Sequence, residues 1–304
     1  MSIELLSAPP SQAIENLNQA QRERLTFIEF RLFFLGGLGR QELIQRFGVA
    51  PAVATRDFAQ YREAFPNNIS FNGKTKSYEL GHAFSPAFKH FPDQVLAVLA
   101  HGFGYGGVYT SDCLVPCELP IILSRPTIDV LAPISRAIHQ QKIVSLNYQS
   151  HSSGLTQREV APFALVNDGL RWHVRAYDRK TNEFRDFVLT RMEEVSALAE
   201  SVLLKHELPS ADIQWNRIVE LDLIPHPNQD HPEIIERDYG MTAGVLHLKL
   251  RAAVAGYVLR QLIVDCSPEH SLKGKEYRLW LRNHLALYGV SSAVLAPGHE
   301  VISL

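Results

Sequence analysis

Cysteine is scarce: Cys113, Cys117 and Cys266 are the only thiols in 304 residues. A sparse, odd count builds no disulfide framework, and a reducing cytoplasm is the expected compartment. The first residues, MSIELLSAPPSQ, lack the basic start and long apolar centre of a secretory signal. No run of roughly 18 uninterrupted apolar residues occurs, so no membrane-crossing helix and no membrane partner are expected. Strong charge of one sign is also missing, the formal net charge being −2. That balance excludes a protein basic all over, but leaves room for a basic face. Repeats and low-complexity tracts are absent. Chemistry-bearing clusters are thin as well. Cys113 and Cys117 stand as C-x3-C without a second ligand pair, and HPNQDHPE (226–233) sets two histidines and two acids in a proline-rich loop. Neither makes a closed tetrahedral zinc set. GFGYGG (102–107) follows an apolar helix, whereas a dinucleotide loop follows a strand. Ser145 and Ser150 have arginines nearby but no placed histidine base. No metal, cofactor or catalysis is therefore expected.

What is present is modular. Leu25, Ile28, Leu32 and Leu35 recur at helical spacing and predict a first helix that stops at Gly36-Gly37. RQELIQRF (40–47) predicts a short second helix, and Gly48-Val49 a turn. Pro51 suits the first turn of a third helix, where its missing N–H costs nothing. That helix turns Ala54, Phe58, Tyr61 and Phe65 inward and leaves Ala52, Thr55, Arg56 and Gln60 off the apolar face. ISF (69–71), Asn72-Gly73 and KTKSYEL (74–80) then read as a hairpin. Between residues 39 and 80 six Lys/Arg face four acids, a small basic surplus. Helix, short helix, turn, helix and basic hairpin is the order of a winged helix-turn-helix. In that arrangement Ala52, Thr55, Arg56 and Gln60 would meet base edges and phosphates. Lys74 and Lys76 would touch phosphate or the minor groove, and Arg40 would hold the backbone.

Farther along, VSLNYQS (144–150), RWHVRAY (171–177) and FRDFVLTR (184–191) read as strands. Alternation sets His173, Arg175 and Tyr177 opposite Trp172, Val174 and Ala176. It likewise gathers Arg185, Phe187, Leu189 and Arg191 on one face. A small sheet with arginines, a histidine and aromatics on one side suits an anion bearing a planar group, because guanidinium forks match phosphate oxygens and rings stack on bases. An amphipathic helix (133–141) introduces this sheet, and a third unit follows it. There VLHLKL (245–250) and EYRLWLR (276–282) predict strands, AAVAGYVLRQLI (252–263) a helix, and SAVLAPGHEVIS (292–303) a closing strand.

RWHVRAYD, FRDFVLTR, YQS (148–150), REVAP (158–162) and LRNHLALYGVSSAVLAP (281–297) together resemble the WYL-domain transcriptional regulators. Trp172-His173-Val174 stands where that family carries Trp-Tyr-Leu. Within the family, the chain resembles the BrxR and CapW regulators that sit upstream of bacterial phage-defence operons (BREX and CBASS). The resemblance covers nearly the whole chain. It implies an α+β protein with a winged helix-turn-helix at 1–81, a bridging segment at 82–132, a WYL ligand-sensing domain with a small Sm-like β-barrel at 133–200, and a C-terminal dimerisation extension at 201–304. It also implies a homodimeric repressor of an inverted-repeat, double-stranded operator, with a nucleotide or oligonucleotide effector. Carried over by position, the ligand site would be Tyr148, Ser150, His173, Arg175, Arg185 and Arg191. A transcriptional activator of the same architecture, or a nucleotide-processing enzyme, are the alternatives.

Overall fold

The computed structural model describes residues 17–103, 114–117, 125–198 and 201–300. Of the features singled out above, residues 1–12, Gly104–Gly107, Cys113 and the end of the last predicted strand lie outside them. The chain forms two compact units, dividing between Leu119 and Pro120.

In the first unit, α1 (Gln19–Leu35) begins where the Asn18 side chain accepts from the Gln21 amide at 2.9 Å, and it ends at Gly36 with φ 82°. A left-handed residue at that place favours glycine. Next come α2 (Arg40–Phe47), closed by Gly48 at φ 62°, and α3 (Pro51–Ala64), with the proline in its first turn. Leu25, Ile28, Leu32, Leu43, Ala54, Phe58 and Tyr61 bury together as the core of this unit. The hairpin differs from its predicted form. Strand β2 (Ile69–Asn72) pairs with β3 (Ser77–Leu80) in register Asn72↔Ser77, leaving Gly73–Lys76 as a four-residue tip. Asn72 is the reason, since its side-chain oxygen accepts from the amides of Lys74 (3.0 Å) and Thr75 (3.4 Å) and curls the chain there. Gly37 and Leu38 do more than end the helix: they form β1, which joins β3 as the third strand. Beyond the wing lies α4 (Pro92–His101). The wholly buried carboxylate of Glu29 accepts from Tyr61 Oη (2.8 Å) and from the amides of Ala87 and Phe88 (both about 3 Å), tying the chain after the wing back to α1.

The second unit contains two sheets. Helix α5 (Ile128–Gln140) covers one face of a five-stranded sheet of order β7-β6-β5-β4-β8. Its strands are β4 (Val144–Ser150), β5 (Gly154–Asn167), β6 (Trp172–Asp178), β7 (Glu183–Val188) and β8 (Met192–Ala197). All neighbours run antiparallel, and β8 returns beside β4. The expected barrel does not close. A single 3-10 turn, Leu189–Arg191, carries the chain from β7 to β8, and no ladder joins these two edges. The sheet nevertheless curls enough for Tyr148 Oη on β4 to accept from the Val188 amide on β7 at 3.2 Å. Val130 and Ile134 of α5 pack here with Val144, Leu146, Tyr148, Val174, Ala176 and Phe187. β5 went unpredicted because its register shifts between Pro162 and Ala164, which breaks the alternation a strand should show.

The second sheet has order β10-β9-β12-β11. Its strands are β9 (Ile218–Pro225), β10 (Leu246–Arg251), β11 (Val264–Asp265) and β12 (Leu279–Leu281). Between the two sheets runs the one-turn α6 (Ile213–Asn216); α7 (Pro232–Asp238) and α8 (Ala252–Gln261) belong to the second. The predicted closing strand is instead a 3-10 turn, Ser291–Leu295. Its Ser292 hydroxyl donates to Ala252 O at 2.6 Å and accepts from the Gly256 amide at 3.0 Å. A Cβ at Gly256 would lie 1.8 Å from Ser292 O, so only glycine allows this helix to sit so close.

Candidate nucleic-acid interface and ligand face

In the N-terminal unit the exposed start of α3 gathers Ala52, Thr55 and Arg56. Thr55 Oγ1 donates to Pro51 O (2.9 Å) and accepts from Arg40 Nη1 (3.1 Å), so the exposed Arg40 leans onto the same helix end. The neighbouring acid, Asp57, is turned inward and held by Arg24, Nε to Oδ2, at 2.6 Å. The outer surface at this helix start is left without that negative charge. Lys74 and Lys76 are exposed at the wing tip, where Lys76 adopts a left-handed φ of 54°. Gln60 departs from expectation. It is half-buried, and its side-chain oxygen accepts from Gln21 Nε2, which aims it at α1 and away from the exposed helix start. Gln60 lies one turn beyond Arg56 and nearly above it on α3, and it is the Gln21 contact that draws it toward α1.

The six expected ligand residues divide between the two faces of the five-stranded sheet. In the β6/β7 register Arg175 faces Asp186, and Ala176 faces Arg185. Cross-strand partners share a face, so Arg185 lies opposite Arg175. His173 and Arg175 point toward the C-terminal extension, where both are buried. Arg175 donates from Nε to Asp212 Oδ2 (2.8 Å), from Nη2 to Asp212 Oδ1 (3.2 Å) and from Nη1 to Asp186 Oδ1 (3.3 Å). Asp186 Oδ2 accepts in turn from Tyr257 Oη of α8 at 3.0 Å. His173 Nε2 donates to Asp168 Oδ2 (3.0 Å), which also accepts from Arg260 Nη2 (2.9 Å). The His173 ring lies 5.3 Å from that of Tyr257. Burial lowers the Arg175 pKa, but its hydrogen bonds to Asp212 and the charges of both aspartates outweigh it and raise the value overall. Burial together with Asp186 pushes the Tyr257 phenol well up. These arginine forks are spent on protein carboxylates. Asp168, Asp212, Tyr257 and Arg260 were missed by sequence reading, since they lie 5 to 92 residues from their partners and no local period marks them.

On the other face stand Tyr148, Ser150, Phe187 and Arg185, with Trp172 nearly half exposed. Tyr148 and Phe187 meet edge-on, ring centres 5.0 Å apart. Arg185 is open to solvent and reaches only Glu183, at 3.2 Å. Arg191 falls on the 3-10 turn after β7, where Nη2 donates to Nε2 of His151 (2.8 Å), the residue after Ser150. On this side Tyr148 and Phe187 are buried in the core under α5, while Arg185 is exposed and Ser150 and Arg191 are half-buried, so cations and a hydroxyl stand at the rim, which is the chemistry of anion contact. Of the set-aside clusters, His226 is buried on Asp265 (3.2 Å) and His231 is exposed beside Glu233 (3.1 Å), so the loop's two histidines are not assembled together. Among the described residues, no group of three or more His, Cys, Asp or Glu could hold a metal ion, and no helix is long and apolar enough to cross a membrane.

The Asp168 contact makes stability depend on acid pH. Burial alone would raise this carboxyl, but the amides of Arg171 and Leu170 and the His173 side chain outweigh it and hold its pKa at about 2, against an ordinary 3.8. A depressed carboxylate contributes stability that is complete above its unfolded pKa and lost as pH falls through the folded one. Urea midpoints should therefore drop as pH goes from about 4 toward 2. Asp168→Asn should flatten that part of the curve; an unchanged curve would rule this group out as its source.

Three family models match the chain. The BrxR transcriptional regulator winged helix-turn-helix domain matches residues 20–100, the WYL domain residues 129–197, and the BrxR transcriptional regulator C-terminal dimerization domain residues 218–287. Curated relatives include the DNA-binding transcriptional repressor CapW of Escherichia coli strain KTE188, 30% identical over 278 residues, covering 89% of this chain and 91% of the relative. CapW of Pseudomonas aeruginosa is 30% identical over 263 residues, covering 84% and 86%. CapW of Stenotrophomonas maltophilia is 30% identical over 267 residues, covering 84% and 87%. The order of the three domains matches the order of the folded elements, from three helices and a wing, through the curled five-stranded sheet, to the four-stranded sheet with α8. The chain belongs to the BrxR/CapW family of WYL-domain transcriptional regulators.

Proposed function

We propose that this chain is a homodimeric, DNA-binding transcriptional repressor of a phage-defence operon, working in the cytoplasm without catalysis. A nucleotide or nucleic-acid fragment on the WYL sheet modulates its grip on DNA. One observation carries the DNA reading. The helix start with Ala52, Thr55 and Arg56 and the wing tip with Lys74 and Lys76 are all exposed, while Asp57, the acid next to Arg56, is turned inward. Relatives named as DNA-binding repressors support it. The domain limits that go with this reading are 1–81 for the DNA head, 82–132 for the bridge, 133–200 for the sensor and 201–304 for the dimerisation extension.

The ligand lies on the face of Tyr148, Ser150, Arg185 and Arg191. His173 and Arg175 serve as the frame behind it, since their hydrogen bonds already join sheet to extension. The test is a thermal melt with a dinucleotide and with a short single-stranded oligonucleotide as probes. A ligand that binds only the folded state raises the melting temperature by mass action. The rise should appear in wild type and vanish in an Arg185→Ala, Arg191→Ala double variant. Equal shifts in both proteins would place the ligand elsewhere.

A further inference from the structure

Among its described residues, the C-terminal extension carries apolar surface that no other described residue covers. A groove of about 670 Å³ opens between the 3-10 turn His284–Leu287 and the chain that follows it to Glu300. Cys266, Leu287 and Val290, all buried, line it from within. Three large apolar side chains stand at its edge almost bare: Leu285 at 68% exposure, Tyr288 at 58% and Val294 at 67%. Single exposed apolar residues are ordinary on a soluble protein, but three within ten positions around one hollow mark a contact surface.

Two observations favour a second protein over a small ligand. Polar groups that would orient a ligand are few, mainly His284, Ser291, His299 and Glu300. Burial, with His284 nearby, holds His299 below the ordinary imidazole value, so it is neutral near pH 7. In addition, the segment from His284 to Glu300 supplies all three projections and most of the hollow's wall, with Cys266 and Pro268 completing it. An isologous two-fold contact needs that combination, because the same patch must serve as knob and as hole. The groove is also fixed in advance. Gln214 donates from Nε2 to Gly289 O (2.9 Å) and accepts from the Ser291 amide (3.0 Å), and the Ser291–Leu295 turn is locked onto α8 at Gly256. A wall already ordered loses little freedom on association.

What identifies the occupant is continuity. The C-terminal dimerization domain matched here ends at residue 287, so it already contains His284, Leu285 and Leu287. We propose that this groove is the face through which two copies of the chain dimerise, Leu285, Tyr288 and Val294 of each copy seating in the other's hollow. The inference rests on the dimeric reading above and names its surface.

Sedimentation equilibrium of the full-length protein over a range of concentrations tests it. Wild type should be a dimer, and Leu285→Asp with Val294→Asp should raise the dimer Kd by on the order of a hundredfold or more, as for central contact residues. Ile234→Asp, a substitution at an exposed residue of α7, should leave the dimer intact. If the aspartate variant fails to fold, judged by circular dichroism, Tyr288→Ala should still raise Kd about tenfold. A dimeric wild type whose groove variants keep its Kd would overturn the surface alone. A monomeric wild type would overturn the dimeric reading together with it.

Discussion

Arg56→Ala should weaken operator binding by about two to four orders of magnitude, while Gln60→Ala leaves it unchanged. Arg56 is exposed on the first turns of α3, where a helix lying in the major groove meets base edges. A lost base contact of this kind costs about 1–3 kcal/mol, and a dimer loses it twice. Gln60 sits on the same helix, but its side-chain oxygen accepts from Gln21 of α1. The two substitutions therefore separate the exposed helix start from its flank. Lys74→Ala with Lys76→Ala should behave differently again. Lysines on phosphate carry no sequence information, so binding should weaken equally on specific and random DNA. The slope of log affinity against log salt should shrink by about 1 for each lost contact, or about 4 per dimer. Fluorescence anisotropy at four or five salt concentrations reads all three effects. Wild-type affinity for Arg56→Ala on the DNA upstream of the gene would remove α3 from the interface.

Asp212→Ala should lower the folding free energy by about 3 kcal/mol, since it takes two of the three carboxylate hydrogen bonds from the buried Arg175 and leaves that charge only Asp186, at 3.3 Å. Both partners are sealed, with side chains 7% and 2% exposed, so solvent screening offers no relief. The same carboxylate also accepts from the Trp215 amide at 3.1 Å and so starts the one-turn helix α6. Loss of that cap adds to the cost. For a unit of this size the melting temperature should fall by roughly 10 °C, at about 2–4 °C per kcal/mol. Arg185→Ala, at an exposed residue on the edge strand β7 of the same sheet, should stay within about 0.5 kcal/mol of wild type. Replacing the pair together, Arg175→Met with Asp212→Leu, should recover only part of the loss, because Asp186 then lacks its arginine and the cap on the Trp215 amide is still missing. An Asp212→Ala protein within about 1 kcal/mol of wild type would show the pair to be energetically idle.

Helical faces were legible because a period of 3.6 needs only nearby residues to declare itself. Leu25, Ile28, Leu32, Phe58 and Tyr61 were each placed inward by spacing alone, and all are buried. Gly36, Gly48 and Pro51 announced the ends of their helices for local steric reasons. Alternation was equally reliable within a strand, since it joined His173 to Arg175. It could not say which face of β7 would align with which face of β6. That depends on register, and a shift of one residue exchanges the faces. Asp186 went beside Arg175 and Arg185 to the far side for this reason. The second limit was distance along the chain. Nothing near Arg175 announces Asp212, 37 residues on, and nothing near Asp168 announces Arg260, 92 residues on. An arginine-rich face looked open to a ligand because the acids that close it come from elsewhere in the sequence.

The same hydrogen bonds bear on how the protein can be cut. Three family models invite dissection into three pieces, and a break near residue 200 looks harmless on such a map. Arg175 and Arg179 would remain on one fragment, while Asp212 and Glu207, their bidentate partners, went to the other. Each fragment would expose charges that the intact chain keeps from water, together with the apolar surface around them. The curled five-stranded sheet and the extension are thus one inseparable body for any truncation series, and the boundary between Leu119 and Pro120 is the place where the chain divides.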